Sequence, residues 1–432
     1  MRRTLFFCNL LLALMLQCVL SYKTQGQSAD LRRMIENGRE AYEKGDFATS
    51  LSYFEQANIT RPDHPMITKL LIRLHSLNNK KEKAYKGLKD LMLIDADLEF
   101  LLHDDLQFIQ GDEQFKEVQQ AYDVMNKAEG IYDTVAVISH RQLHPESIVT
   151  LPDDEGILLG SVHEKRIVMI DNEGEMQEWV PAGAHGLYAV MGMTMDEERG
   201  LLWVASTAIP QMVWYSEELE GKATVFAFDI GSRALIKKFE PDVSGKYWFG
   251  DLTIDDTGSV YISNSQAPEI YRIASIEGSL EKWRSFPELF SLQGLTVIGE
   301  RLFFADYLKG IYSVELDGQS ASLRKVQAPK ETILKGIDGM YGLSNGLITI
   351  QNGVYPNRIS FWTLSDDQSE LIDMTYIDKA NLLFGEPTLG NVNGGSFYYI
   401  ANSQWNGYHA DGRILENDLL KDIYVLKARL PN

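Results

Sequence analysis

Cysteine is nearly missing from this chain. Its two copies, Cys8 and Cys18, both fall near the start, so the remainder supports neither a disulfide framework nor thiolate chemistry. Positive charge is also short: 41 Lys and Arg stand against 61 Asp and Glu, for a net charge of −20. A chain this acidic is repelled by phosphate backbones, which argues against nucleic acid as a partner. No apolar run has the length and setting of a membrane span. The longest, from Leu5 to Leu20, follows Arg2 and Arg3 and gives way to Ser21-Tyr22-Lys23-Thr24-Gln25-Gly26. That order is a basic segment, an apolar segment and a cleavage site, and it predicts an export leader over residues 1–26. A lipid anchor on Cys18 is the weaker reading, because Met15-Leu16-Gln17 is a poor lipobox. The expected location is therefore periplasmic or extracellular. Loss of Arg2, Arg3 and Lys23 with no acid would take the net charge from −20 to −23. A Gly-rich phosphate loop between strand and helix is missing as well.

What is present changes character along the chain. Residues 27–130 have few glycines and no strand-like alternation. Within ENGREAYEKGDFATSLSYFEQANITRPDHP, Gly38, Ala41, Ser50, Phe54, Ala57 and Pro62 fall at the offsets of a tetratricopeptide repeat, with a turn at Gly45-Asp46. A shift of 34 carries Ser50 to Ala84, Phe54 to Leu88 and Ala57 to Leu91. We expect one well-formed helical repeat, one degraded repeat and a capping helix over about 113–128. Such a short array leans on a neighbour for stability. It serves as a packing module or, alternatively, docks a protein partner.

Residues 131–432 read as strands. PESIVTLPDDEGILLGSV, VMGMTMDEERGLLWVAST, FGDLTIDDTGSVYISNS, LQGLTVIGERLFFADY, IDGMYGLSNGLITIQNG and EPTLGNVNGGSFYYIANSQ each give a strand, a tight turn and a second strand. Third strands such as RIVMID and GIYSVEL follow, then more polar fourth ones such as EMQEWV. Six four-stranded units predict a mainly β fold, a six-bladed β-propeller behind a small α-helical tetratricopeptide-like domain. The sixth unit lacks a fourth strand, and residues 132–139 are expected to supply it and close the ring.

Aligning the units puts Glu146, Met191, Gly250, Gln293, Asp338 and Glu386 just before or within the innermost strands, at one channel mouth. A second set, Ser161, Ser206, Asn264, Asp306, Asn352 and Asn402, falls where the second strands return to that end. The second set either faces a ligand or bonds its own backbone in turns. Three carboxylates at one mouth repel one another unless they are solvated, share protons or bind a cation. An oxygen-only donor set suits Ca²⁺ first and Mg²⁺ second. His144 and His163 are secondary candidates, more simply read as surface residues. Trp214, Tyr215, Trp405 and Tyr408, in the insertions 208–222 and 405–421, are candidates for an aromatic rim around a small-molecule ligand.

The blade starts HPESI, LQGLTV and IDGM, with GSVYISNS and RLFFADY, resemble the senescence marker protein/gluconolactonase/luciferin-regenerating enzyme family over about residues 132–432. The resemblance implies a six-bladed propeller and, from the family's characterised enzymes, a metal-dependent lactone hydrolase. There the metal is held by a Glu at the first blade start, an Asn at the fourth and an Asp at the fifth. An Asn at the third helps hold substrate or water. Carried over, the Glu is Glu146 and the Asp is Asp338. Gln293 stands for the fourth-blade Asn, and Gly250 replaces the third-blade Asn, with Asp251 beside it. Glu386 is an additional acid. The expected metal ligands are thus Glu146, Gln293, Asp338 and Glu386, with Ca²⁺ preferred over Mg²⁺ or Zn²⁺. Asp338 or Glu386 is the expected base, and Asp251, Asn264, Asn352 and Asn402 the substrate contacts. The altered amide positions keep a second expectation open, a non-catalytic exported binding propeller with a structural cation.

Overall fold

The computed structural model describes residues 25–152, 155–317, 322–409 and 411–431. The leader read over 1–26 lies outside them except for Gln25 and Gly26. No helix among the described residues is long and apolar enough to cross a membrane.

Five helices come first: α1 (Gln25–Glu43), α2 (Phe47–Thr60), α3 (Pro65–Leu77), α4 (Lys81–Met92) and α5 (Glu113–Asn126). Gly45 takes the left-handed turn conformation between α1 and α2. Asp46 then caps α2, accepting from the Thr49 N–H at 3.1 Å. The helices cross closely where the small residues fall. A Cβ on Gly38 would meet the Phe54 ring at 2.7 Å, and the Ser50 hydroxyl donates to the Gly38 carbonyl at 2.8 Å. The 34-residue shift also lands on packed positions, since Ala84, Leu88 and Leu91 are all buried in a core shared with α5.

Six antiparallel sheets follow. Blades one to four each use four consecutive strands: 145–180, 189–239, 249–285 and 292–325. Apolar side chains of adjacent blades interdigitate. Trp203 and Val225 of blade two, for example, share a buried cluster with Leu252 and Ile262 of blade three. Blade six consists of Gly390–Asn393, Ser396–Ile400 and Ile423–Arg429, closed on its outer edge by Tyr132–Ile138. Tyr132 lies opposite Ala428 and Ile138 opposite Ile423, so the segment before blade one closes the ring. Blade five, 337–379, carries a fifth strand that sequence periodicity did not reveal: Glu129 and Gly130 pair with Lys379 and Asp378.

That extra strand is one of several ties between the helical module and blade five. Ala96 N–H donates to the Tyr355 carbonyl, and Tyr355 N–H to the Ile94 carbonyl, both at 2.8 Å. Buried Arg358 donates to the Leu93 carbonyl at 2.6 Å. Lys335 pairs with Asp63 at 2.6 Å, and Lys379 donates to the Val124 carbonyl at 3.2 Å. The helical module is seated on the propeller.

Candidate functional site

Five of the six inner strands carry the same irregularity. In five blades the register shifts at the ring position: between Pro145 and Ser147, Val190 and Gly192, Phe249 and Leu252, Leu292 and Leu295, and Ile337 and Gly339. A bulged residue drops out of the ladder and its side chain is re-aimed. Glu146, Met191, Gly250, Gln293 and Asp338 occupy these shifts. Glu386 reaches the same place differently, from a loop before its strand and with φ of +75°. Glycines after the ring residue permit the close approach of neighbouring blades. A Cβ on Gly294 would lie 2.4 Å from the Met340 nitrogen, and one on Gly339 2.9 Å from the Thr388 carbonyl. The Met-Gly, Gln-Gly and Asp-Gly pairs in the sequence are the local sign of these bulges.

All six ring positions line one cavity of about 2120 Å³. Its floor is the propeller mouth, and its roof is the helical module: α1, the α2–α3 turn, α3 and the segment 94–103. Trp248, Phe290, Tyr307 and Tyr355 form much of its aromatic wall. Sequence reasoning found the floor and missed the roof, because module docking depends on surfaces that meet only in the fold.

Four carboxylates lie at the floor, Glu146 and Asp251 buried and Asp338 and Glu386 partly exposed. Glu146 Oε2 accepts from Ser403 Oγ at 2.9 Å and Trp405 Nε1 at 2.8 Å. Burial and the Asp338 charge raise its pKa well above the ordinary range, against these two donors. Asp338 accepts from Asn352 Nδ2 at 2.7 Å; burial pushes it up to about 7 despite that bond. Burial and then the Asp338 charge push Glu386 up to about 7, while the Asn406 and Trp405 N–H groups pull it down. Asp251 accepts from its neighbour's Leu252 N–H at 2.8 Å and is pushed up to about 8, first by burial. Gln293 Nε2 donates to Ser291 Oγ at 3.0 Å. Among the described residues, no group of three or more His, Cys, Asp or Glu is spaced to hold one metal ion.

At Gly250, where the family resemblance expects an amide, Ser265 fills the space. A Cβ there would meet Ser265 Oγ at 2.8 Å, and that hydroxyl donates to the buried Leu292 carbonyl at 2.7 Å.

The second set separates into two kinds. Asn352 lines the cavity, bonded to Asp338 and accepting from the Tyr307 hydroxyl at 3.1 Å. Asn264 and Asn402 stand outside the lining, correcting their expected role as substrate contacts. Asn264 Oδ1 accepts from the Trp248 N–H at 2.9 Å. Asn402 bridges the Asp422 carbonyl and the Tyr424 N–H, both at 2.8 Å. Ser206 and Asp306 likewise accept from backbone N–H groups. Ser161 does so too, from Glu164, and donates to the Leu143 carbonyl. Small polar groups at strand ends are short enough to reach their own backbone, which accounts for the pattern.

The aromatic candidates also divide. Trp405 lines the cavity and anchors Glu146 from inside the wall; Trp214 is exposed, and Tyr215 and Tyr408 stand off the cavity. His144 is buried, with its ring edge-on to Trp405 and its Nδ1 on the Tyr408 hydroxyl. Burial holds its pKa well below the usual imidazole value. His163 bonds the Gln211 carbonyl at 2.7 Å. Neither faces the mouth.

No family model matches the sequence, and no curated protein matches it. Among solved structures, the chain is similar to virginiamycin B lyase from Staphylococcus aureus, at 13% identity and a TM-score of 0.45, over 71% of this chain and 100% of that one. It is similar to a gluconolactonase from Xanthomonas campestris at 10% identity and a TM-score of 0.45, over 71% and 91%. It is also similar to a luciferin-regenerating enzyme at 14% identity and a TM-score of 0.47, over 70% and 95%. At these values the likeness carries no argument about function. The six sheets of the chain itself establish a six-bladed β-propeller.

Proposed function

We propose that the roofed mouth is the site of an exported lactonase-type hydrolase acting on small lactones. The carrying observation is the convergence of Glu146, Asp338 and Glu386, from three different blades, on the floor of one cavity. The donor set, carboxylates with the Gln293 amide oxygen, is chemically suited to a hard divalent cation, Ca²⁺ first. In this reading Glu146, Gln293, Asp338 and Glu386 would hold the ion, although their spacing in this structure does not enclose one. The ion would polarise the lactone carbonyl. Asp338, oriented by Asn352, or Glu386, held by the Trp405 turn, takes the proton of the attacking water. Asp251 and Asn352 receive the substrate hydroxyls.

A second reading is a non-catalytic binding propeller. It is favoured by Gly250, where Ser265 occupies the place of the amide, and by the ligand spacing. In both readings the helical module is tetratricopeptide-like and the leader 1–26 directs export. The chemistry is tested by calcium and chelator titrations of the melting temperature, followed by a panel of aldonic and aromatic lactones. A calcium response with turnover supports the hydrolase. A calcium response without turnover leaves the binding propeller. No response to either ion or chelator removes the cation from both. A native mass that retains Met1, or that carries a lipid on Cys18, overturns soluble export.

A further inference from the structure

The cavity has two ends of opposite character. The floor carries four carboxylates, two of them buried. The roof has a corner, in the turn from α2 to α3, with cationic groups that no carboxylate neutralises. Arg61 there is half-buried, and no hydrogen bond or ion pair among the described residues holds its guanidinium. Burial pushes its pKa down, and no carboxylate offsets the effect. His64, in the same turn, has a buried Nδ1 with no partner; burial and then the Arg61 charge push its pKa down to about 4. Arg39 of α1, exposed to solvent, comes to the start of α3, its Nη2 3.7 Å from Met66 Sδ, and it too lacks an ion pair. Glu36 and Glu43 of α1 also line the cavity but make no ion pair with either arginine.

The neighbouring cations differ. Lys335 is paired with Asp63, Lys69 with Asp95 and Asp97, and Arg73 with Asp105. In a chain with a net charge of −20, unpaired guanidinium groups lining a cavity call for an external anion. A guanidinium recognises a carboxylate bidentately, and an imidazole N–H adds a third donor.

We infer that the Arg39–Arg61–His64 corner binds the anionic group of an extended, polyhydroxylated ligand whose other end lies on the carboxylate floor; the class that fits is an acidic oligosaccharide. This deepens the reading of the roofed mouth as a ligand site and does not depend on the chemistry performed there. The cavity, at about 2120 Å³, exceeds the roughly 300–1,000 Å³ typical of single small-molecule pockets. Its aromatic wall offers flat faces to sugar rings. The floor carboxyls offer hydrogen-bond partners to ligand hydroxyls.

The test uses the full chain with trigalacturonate and with its fully methyl-esterified form, which removes the charge alone. Trigalacturonate should raise the melting temperature and the ester should not. Arg61→Ala and Arg39→Ala should each weaken trigalacturonate binding about tenfold by calorimetry, and Arg61→Lys should weaken it less. An unliganded melting temperature close to wild type in these variants separates lost binding from lost folding. Equal effects of acid and ester, no effect of either, or unchanged affinity in folded Arg61→Ala overturns the inference. Hydrolysis of glucono-1,5-lactone by the wild type is read separately. Trigalacturonate binding without lactone turnover supports the corner and removes only the hydrolase reading. Turnover without a preference for the acid removes only the corner.

Discussion

Asp338, Glu386 and Asp251 lie at about 7, 7 and 8 in the fold, against ordinary values of 3.8, 4.5 and 3.8. Between the two sets of values the unfolded chain releases protons that the folded chain keeps. Stability therefore falls as pH rises through this window and is fully reduced above about 8. Chelator-treated protein should show a falling melting temperature from about pH 5 to 8.5. Asp338→Asn should make the slope shallower, and bound calcium should flatten it by holding the carboxylates ionised. A flat or rising profile in chelator would contradict the electrostatics. Gly250 gives a second prediction at this scale. Gly250→Asn restores the expected amide but meets Ser265, and should cost about 1–3 kcal/mol through overpacking. In a Ser265→Ala background the same substitution should cost less, a coupling that a double-mutant cycle measures. Additive costs would show that the two sites do not share space.

The closing strand offers the sharpest prediction for the elements. Ala136 and Ile138 of Tyr132–Ile138 are buried against blades one and six. Deletion through residue 127 should leave a closed, cooperatively folding propeller. Deletion through residue 140 should lower its melting temperature by a further 5–10 °C, roughly, for the few kcal/mol of burial and pairing lost. Identical melting of the two truncations would refute closure by this strand. The blades were legible because strand alternation and turn residues act locally, and the repeat itself fixes which residue of each unit faces the channel. The small residues at 38, 50 and 84 marked helix crossings for the same reason. Asn264 and Asn402 were misplaced because an amide at a strand end reads alike whether it faces a ligand or its own backbone. The roof was illegible for a different reason. Arg358, Tyr355 and Glu129 look like ordinary surface or strand residues until the helical module and blade five meet.

At the scale of the whole molecule, the helical module and the propeller build one roofed cavity with an acidic floor and a guanidinium corner. The seat on blade five fixes the roof through backbone pairing at Tyr355 and through buried Arg358. The central claim is that the floor of this cavity performs hydrolysis through its convergent carboxylates. The most direct measurement is the calcium-saturated rate of lactone opening by the full chain, compared with that of Asp338→Asn under the same conditions. The account predicts turnover of at least one aldonic or aromatic lactone by the wild type. It predicts a loss of about a hundredfold or more in Asp338→Asn, consistent with removal of a general base. A wild-type rate equal to that of buffer across the lactones, or an Asp338→Asn rate equal to wild type, would contradict it.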